Sequence, residues 1–153
     1  MKKHSKLFTS LITIVAAGLL TTGCTSTQSQ AALKQNKPSI GGLFFTFDDT
    51  WTTYVRNRIY KDSEGKADVS LWSGENSQEI EDKKANELIK DNVKTLIVSA
   101  VDNKKISNIL DNGKNNNIPL IFFNNKPSEE ELKKWDKIYY VGAKAEQAGT
   151  LQG

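Results

Sequence analysis

Short apolar runs alternate with amphipathic stretches over residues 40 to 141 of the chain. The runs are rich in Ile, Val, Leu and Phe, as buried parallel strands are. Five such runs lie at 40–45, 67–72, 95–100, 118–123 and 138–141. The segments between them predict helices at 50–61, 77–91, 103–112 and 128–135. Because strand and helix alternate, the pattern predicts an α/β fold in which a doubly wound parallel sheet carries helices on both faces.

The second predicted helix is amphipathic. Ile80, Ala85 and Leu88 recur at spacings that place them on one face, and the charged residues, among them Glu79 and Glu81, are assigned to the other face. We therefore expect this helix to cover the sheet with its apolar side.

Local residues also predict where helices begin and end. Asn76 with Glu79, and Ser128 with Glu131, have the spacing of N-terminal capping boxes. Gly113 stands where a glycine just past a helix end is expected.

The first 23 residues run in the order basic, apolar, small. This order predicts a signal peptide at 1–23. The apolar stretch has roughly 14 residues, which is fewer than the about 20 that a membrane-spanning helix needs. A permanent membrane span is therefore the weaker interpretation.

Cys24 is the only cysteine and follows Gly23 directly. It resembles the lipobox cysteine of bacterial lipoproteins, which receives a diacylglycerol, although Thr21 stands where Leu is usual. A lone thiol in an exported protein cannot form an internal disulfide. We expect Cys24 to be lipidated, residues 24–38 to form a flexible tether, and residues 39–153 to form one folded lobe.

The formal charge of +3 does not describe the predicted mature chain. It rests on Lys2, Lys3 and Lys6 of the signal peptide, and without them 18 basic residues face 18 acidic ones. This balance gives no support to nucleic-acid binding.

We expect the functional site beyond the carboxyl ends of the predicted strands, where open parallel sheets bind ligands. These segments are rich in Asp, Asn and Ser and lie at 46–51, 73–76, 99–102, 124–126 and 142–146. Asp49 and Trp51 together could hold a sugar, because a carboxylate accepts hydrogen bonds from hydroxyls and an indole packs on the apolar face of the ring. The alternatives are that Asp49 caps a helix and that Trp51 packs in the core.

Two further features have alternative interpretations. The side-chain amide of Asn124 could bind ligand hydroxyls, or Asn124 and Asn125 could form a turn before Pro127. Arg56 and Arg58 are expected on a solvated helix face.

An enzyme is the weaker alternative. The letters TFDD resemble the first motif of polysaccharide deacetylases, but those enzymes also place histidines on a metal. The only histidine is His4, inside the predicted signal peptide. A histidine-dependent metal site or a Ser-His-Asp triad is thus excluded for the predicted mature segment, and we expect no catalysis.

Several stretches together resemble the galactose/glucose-binding branch of the sugar-binding proteins that serve ABC importers. They are IGGLFFTFDDTW, VKTLIVSAVD, IPLIFFNNKPS, DKIYYVG and the closing LQG, which span residues 40 to 153. The resemblance implies that Asp49 and Asn124 bind sugar hydroxyls and that Trp51 stacks on the pyranose. Phe45 stands where this family has Tyr, so one polar contact is lost.

The resemblance also implies a fold, a ligand, transport partners and a cellular localisation. It indicates the N-terminal lobe of a type I periplasmic-binding-protein fold, with the second lobe and its calcium site outside this chain and no cofactor within it. The implied ligand is galactose, glucose or methylgalactoside, handed to an ABC permease and its ATPase. The lipoprotein would lie in the periplasm or on the outer face of the cell membrane. Alternatives are a sensor that presents ligand to a chemoreceptor or sensor kinase, and a binder of another sugar such as ribose.

Overall fold

The apolar runs form five strands in the computed structural model, which describes residues 37–143. The strands are β1 Ser39–Phe44, β2 Asp68–Ser73, β3 Thr95–Ser99, β4 Leu120–Phe123 and β5 Ile138–Val141. The helices are α1 Thr50–Ser63, α2 Gln78–Lys90, α3 Ser107–Asn115 and α4 Glu129–Leu132. The signal peptide, Cys24 and nearly all of the tether lie outside the described residues, as does the segment from residue 144 onward.

All strand pairs are parallel, and the sheet has the order β2-β1-β3-β4-β5. The chain crosses from β1 to β2 in one direction and from β2 to β3 in the other. Because such crossovers are right-handed, α1 lies on one face of the sheet and α2 on the opposite face, where it packs against α3. The predicted doubly wound fold is therefore confirmed.

The core lies mainly between the sheet and helices α2 and α3, which cover one of its faces. Its side chains come from the central strands and from one side of α2 and of α3. Burial of each large apolar side chain contributes about 1.5 to 3 kcal/mol to stability. The fully or almost fully buried apolar residues include Leu43, Phe44, Ala85, Leu88, Leu96, Val98, Ile109, Leu110, Leu120 and Phe122.

Helix α1 is more exposed than α2 and α3. Among its 14 residues only Thr52 is buried, and Tyr54 is largely exposed. Hydrogen bonds to Asp49 at the start of α1 are described below.

None of the helices within residues 37–143 combines the length and the apolar character needed to cross a membrane.

The start of α2 differs from the prediction. Ser77, and not Asn76, is the N-cap, and its Oγ accepts a hydrogen bond from the Ile80 N–H at 3.4 Å. Asn76 instead adopts a left-handed backbone with φ of 57°, which asparagine tolerates better than most residues. At α4 the prediction is confirmed, since Ser128 Oγ accepts from the Glu131 N–H at 3.2 Å.

The predicted end of α3 at Gly113 is wrong. The helix continues to Asn115, and Gly113 is buried against β4. A Cβ atom at position 113 would lie 2.8 Å from Leu120 Cδ2 and 2.9 Å from Leu120 Cγ. The glycine therefore lets the helix approach the sheet closely, and its conformational freedom is not used to end the helix.

We expect Gly113→Ala to destabilise the folded protein. Alanine favours a helix by about 1 kcal/mol over glycine, but crowding a fully buried Leu120 costs about 1 to 3 kcal/mol. Urea unfolding should show a net loss of about 1 kcal/mol. Asp111→Ala, at an exposed position of the same helix, should show no such loss, and a stabilised Gly113→Ala would contradict the close-packing interpretation.

Candidate functional site

The strand order reverses between β1 and β3, so the crevice used by ligands in this class of sheet lies at the carboxyl ends of these two strands. Phe44, the last residue of β1, pairs in register with Ser99, the last residue of β3. The loop from β1 to α1 and the residues that follow β3 and β4 therefore border the same edge.

Asp49 lies at this edge and caps α1. Its Oδ1 accepts a hydrogen bond from the Thr52 N–H at 2.9 Å, and its backbone carbonyl accepts from the Thr53 N–H at 3.1 Å. The capping alternative is thus confirmed. It leaves Oδ2 without a hydrogen bond from any residue of 37–143, so the same half-buried carboxylate has an acceptor to offer a ligand.

Trp51 does not pack in the core. It is 43% exposed, and its ring centroid lies 6.3 Å from that of Phe123 with a tilt of 31°. Phe123 in turn meets Phe44 edge-on at 5.2 Å. The indole is therefore supported by a ring anchored at the end of β4 and still presents apolar surface to solvent.

Asn124 follows β4 and forms the turn that was one of the two interpretations made from the sequence. Its backbone adopts a left-handed turn conformation with φ of 66°. Its side-chain Nδ2 donates to Ser99 Oγ at 3.3 Å, and its backbone carbonyl accepts from the Tyr140 hydroxyl at 3.2 Å. The amide Oδ1 accepts no hydrogen bond from residues 37–143, and the residue is exposed.

Phe45 is half-buried directly after β1. Its backbone carbonyl accepts from the Asn76 N–H at 2.7 Å, which joins the connection after β1 to the connection after β2. Its side chain has no hydroxyl and offers only apolar contact. Within the part of the chain that the structure describes, no three His, Cys, Asp or Glu side chains converge in a way that could hold a metal ion.

Comparison with known proteins decides the family. Residues 40–153 match the family model described as "Periplasmic binding protein domain". The chain belongs to this family. Its members bind solutes and are not enzymes, so the expectation of a binding protein without catalysis is confirmed.

One curated relative of this periplasmic binding protein is the D-galactose/methyl-galactoside binding periplasmic protein MglB of Haemophilus influenzae. It is 28% identical over 116 residues, which cover 74% of this chain and 35% of the relative. The chain thus spans about a third of that relative's length.

Solved structures share the fold at lower identity. A solute binding protein from Actinobacillus succinogenes with bound D-allose has a TM-score of 0.67 at 21% identity, covering 75% of this chain and 42% of that one. A solute binding protein from Bacillus halodurans with bound myo-inositol has a TM-score of 0.62 at 18% identity, covering 76% of this chain and 42% of that one.

Arg56 corrects the expectation of a solvated position. Its guanidinium carbon lies 3.9 Å from the centroid of the Phe47 ring, and its Nη2 donates to the Phe47 carbonyl at 3.4 Å. Arg58 is exposed as expected and pairs with Asp62 at 2.7 Å. Arg56 therefore helps to fix the loop that ends at Asp49, a role that the sequence pattern did not indicate.

Glu81 is a second correction, because it is fully buried and not on the solvated face of α2. Its Oε2 accepts from the Val101 N–H at 3.1 Å, and its Oε1 is buried without a partner in residues 37–143. Burial raises the pKa of the carboxyl to about 7. Glu81 shares the spacing of Ala85 and Leu88, the other two buried positions of α2, and that spacing was the signal available in the sequence.

We expect Glu81 to make the stability of this periplasmic binding protein fall as pH rises. The ordinary pKa of 4.5 applies in the unfolded chain and a pKa of about 7 in the folded one. Between these values the folded state keeps a proton that the unfolded state releases, so the contribution of Glu81 to stability is most favourable below about pH 4.5 and its full cost is reached above about pH 7. A shift of this size corresponds to a cost on the order of 3 kcal/mol.

Urea unfolding of the full-length gene product at pH 5 and pH 8 measures this effect. Glu81→Gln, which cannot ionise, should be more stable relative to the unsubstituted protein at pH 8 than at pH 5. Glu79→Gln, at an exposed position of the same helix, serves as the control. An identical pH dependence in the Glu81→Gln and unsubstituted proteins would contradict the assignment.

Proposed function

We propose that this protein is the sugar-binding component of an ABC importer and that it binds a neutral hexose of the galactose or glucose type. The observation that carries the proposal is the exposed ring of Trp51, supported by Phe123, in the first turn of the helix that Asp49 caps. A flat apolar surface beside a carboxylate matches the two chemistries that a pyranose presents.

The remaining polar groups fit the same ligand class. Asp49 Oδ2 and Asn124 Oδ1 are both acceptors, so a ligand that satisfies them donates hydroxyl protons. A carboxylate in the site also disfavours an anionic ligand, because like charges repel in a partly desolvated pocket. A neutral polyhydroxylated ring meets both conditions.

The relatives support a sugar or a similar polyhydroxylated ring, and their ligands differ. The Haemophilus influenzae relative is named for D-galactose and methyl-galactoside, and the solved structures hold D-allose and myo-inositol. Phe45, which lacks a hydroxyl at the end of β1, favours a pocket with one polar contact fewer than the galactose/glucose type. We rank galactose and glucose first because the Haemophilus influenzae relative is named for D-galactose and methyl-galactoside, and we test the other ligands because Phe45 removes one polar contact.

Calorimetric titration of the full-length gene product with D-galactose, D-glucose, D-allose, D-fructose and myo-inositol tests this proposal. We expect Trp51→Ala to weaken hexose binding at least about tenfold, because the stacking surface is lost. Trp72→Ala is the matched control, since Trp72 is 42% exposed on β2 and lies under Lys84 Nζ at 4.1 Å. Equal losses in the two variants, or none of these ligands bound, would refute the proposal.

The proposed partners are a membrane permease and its cytoplasmic ATPase. Transport predicts that deletion of the gene abolishes uptake of the bound sugar. A protein that presents ligand to a chemoreceptor or sensor kinase would instead lose the sugar response while uptake continued.

We further propose that Cys24 anchors the exported protein to a membrane, in the periplasm or on the outer cell surface. The support is its position directly after Gly23 at the end of the predicted signal peptide. The intact mass of protein extracted from its native membrane should correspond to a chain that begins at a diacylated Cys24, and Cys24→Ser should abolish the added lipid. A soluble species cleaved elsewhere would contradict the anchor.

A further inference from the structure

Asn124 is held from two sides by residues of two different strands. From β3, Ser99 accepts a hydrogen bond from the side-chain amide. From β5, the hydroxyl of Tyr140 donates to the backbone carbonyl. The side chain and the main chain of one exposed residue are thus fixed separately.

The contact on the main chain stabilises an uncommon conformation. A φ of 66° places Asn124 in the left-handed region, which non-glycine residues occupy sparsely although asparagine is enriched there. This backbone turns the residue away from the line of β4. The hydrogen bond from Tyr140 therefore stabilises the backbone conformation that determines where the side-chain amide of Asn124 lies.

Gly142 provides the space for that contact. It follows β5 two residues after Tyr140, and a Cβ atom at position 142 would overlap the Tyr140 hydroxyl. With any larger residue there, the ring could not keep its present position. Glycine is needed here for close approach.

The hydrogen bond to the side chain of Asn124 comes from Ser99, which lies inside the sheet. Ser99 is fully buried and pairs with Phe44 at the reversal of strand order. A buried hydroxyl on a central strand is a rigid support, because its own position is set by the core around it. It holds one end of the amide and leaves Oδ1 open.

We propose that Ser99 and Tyr140 are positioning residues that orient Asn124 for ligand, and that Gly142 is required for the part played by Tyr140. The affinity consequence rests on the proposed function, whereas the orientation itself does not. A side chain ordered before binding loses less conformational freedom when ligand arrives, so each support strengthens binding by about three- to tenfold.

Orientation is measured without ligand, by relaxation of the Asn124 side-chain amide in ¹⁵N-labelled full-length gene product. We expect an ordered amide in the unsubstituted protein and a more mobile one in Ser99→Ala and Tyr140→Phe. Gly142→Ala should reproduce the effect of Tyr140→Phe although the hydroxyl is still present. An unchanged Asn124 amide in both Ser99→Ala and Tyr140→Phe would overturn the proposal.

Matched controls separate positioning from general loosening of the sheet. Tyr139→Phe removes a hydroxyl from the neighbouring residue of β5, which is 51% exposed. Ser70→Ala removes one from an exposed position of β2. Neither control should alter the Asn124 amide, and an equal change in the controls would overturn the specific role.

Affinity is measured by titration with whichever of the five tested ligands the unsubstituted protein binds most tightly. Ser99→Ala and Tyr140→Phe should each weaken binding three- to tenfold, and neither should weaken it further in an Asn124→Ala background, because they act through Asn124. A full additional loss in that background would overturn the proposal. If no ligand binds, the proposed function fails, and the relaxation measurement still decides whether Ser99 and Tyr140 position Asn124.

Discussion

The parallel pairing of β1 with β3 is the constraint on which the site depends. It brings residues more than 50 positions apart in the chain into register, with Phe44 opposite Ser99. Because both strands run in the same direction, their carboxyl ends open on the same edge, and the reversal of strand order leaves a crevice there. Burial of Leu43, Phe44, Leu96 and Val98 stabilises this pairing and so stabilises the crevice.

Two residues at the edge of the sheet have a structural role and keep a polar atom that could bind ligand. One oxygen of Asp49 caps α1 and Asn124 closes a turn, while Asp49 Oδ2 and Asn124 Oδ1 accept no hydrogen bond from residues 37–143. A side chain with two polar atoms can be fixed through one and bind through the other. A side chain fixed in this way before ligand arrives loses less conformational entropy on binding, which is the advantage of a preorganised site.

Polar residues beneath the site connect its loops to the helices. Glu81 and Gln78 of α2 accept hydrogen bonds from the Val101 and Asp102 N–H groups that follow β3, and Arg56 of α1 donates to the loop that follows β1. Among these side chains Glu81 lowers the stability of the folded protein when it is ionised, because burial disfavours its charge. A loop that follows a strand has few backbone partners of its own, so such side chains determine its position.

The alternation of apolar runs and amphipathic segments was sufficient to predict the architecture and the strand ends at which the candidate site lies. The five apolar runs match the five strands closely, and the central strands β1, β3 and β4 are the most buried of them. Asp49, Trp51 and Asn124 follow the strand ends to which the alternation assigned them.

Other features depend on contacts that only the folded chain makes. Gly113 continues a helix because Leu120 crowds it, and Glu81 is buried because α2 turns that side to the sheet. Ser99 and Tyr140 meet Asn124 only because β3, β4 and β5 lie side by side. Contacts between residues distant in the chain depend on the order of the strands in the sheet. The pattern of apolar and polar residues along the chain does not specify that order.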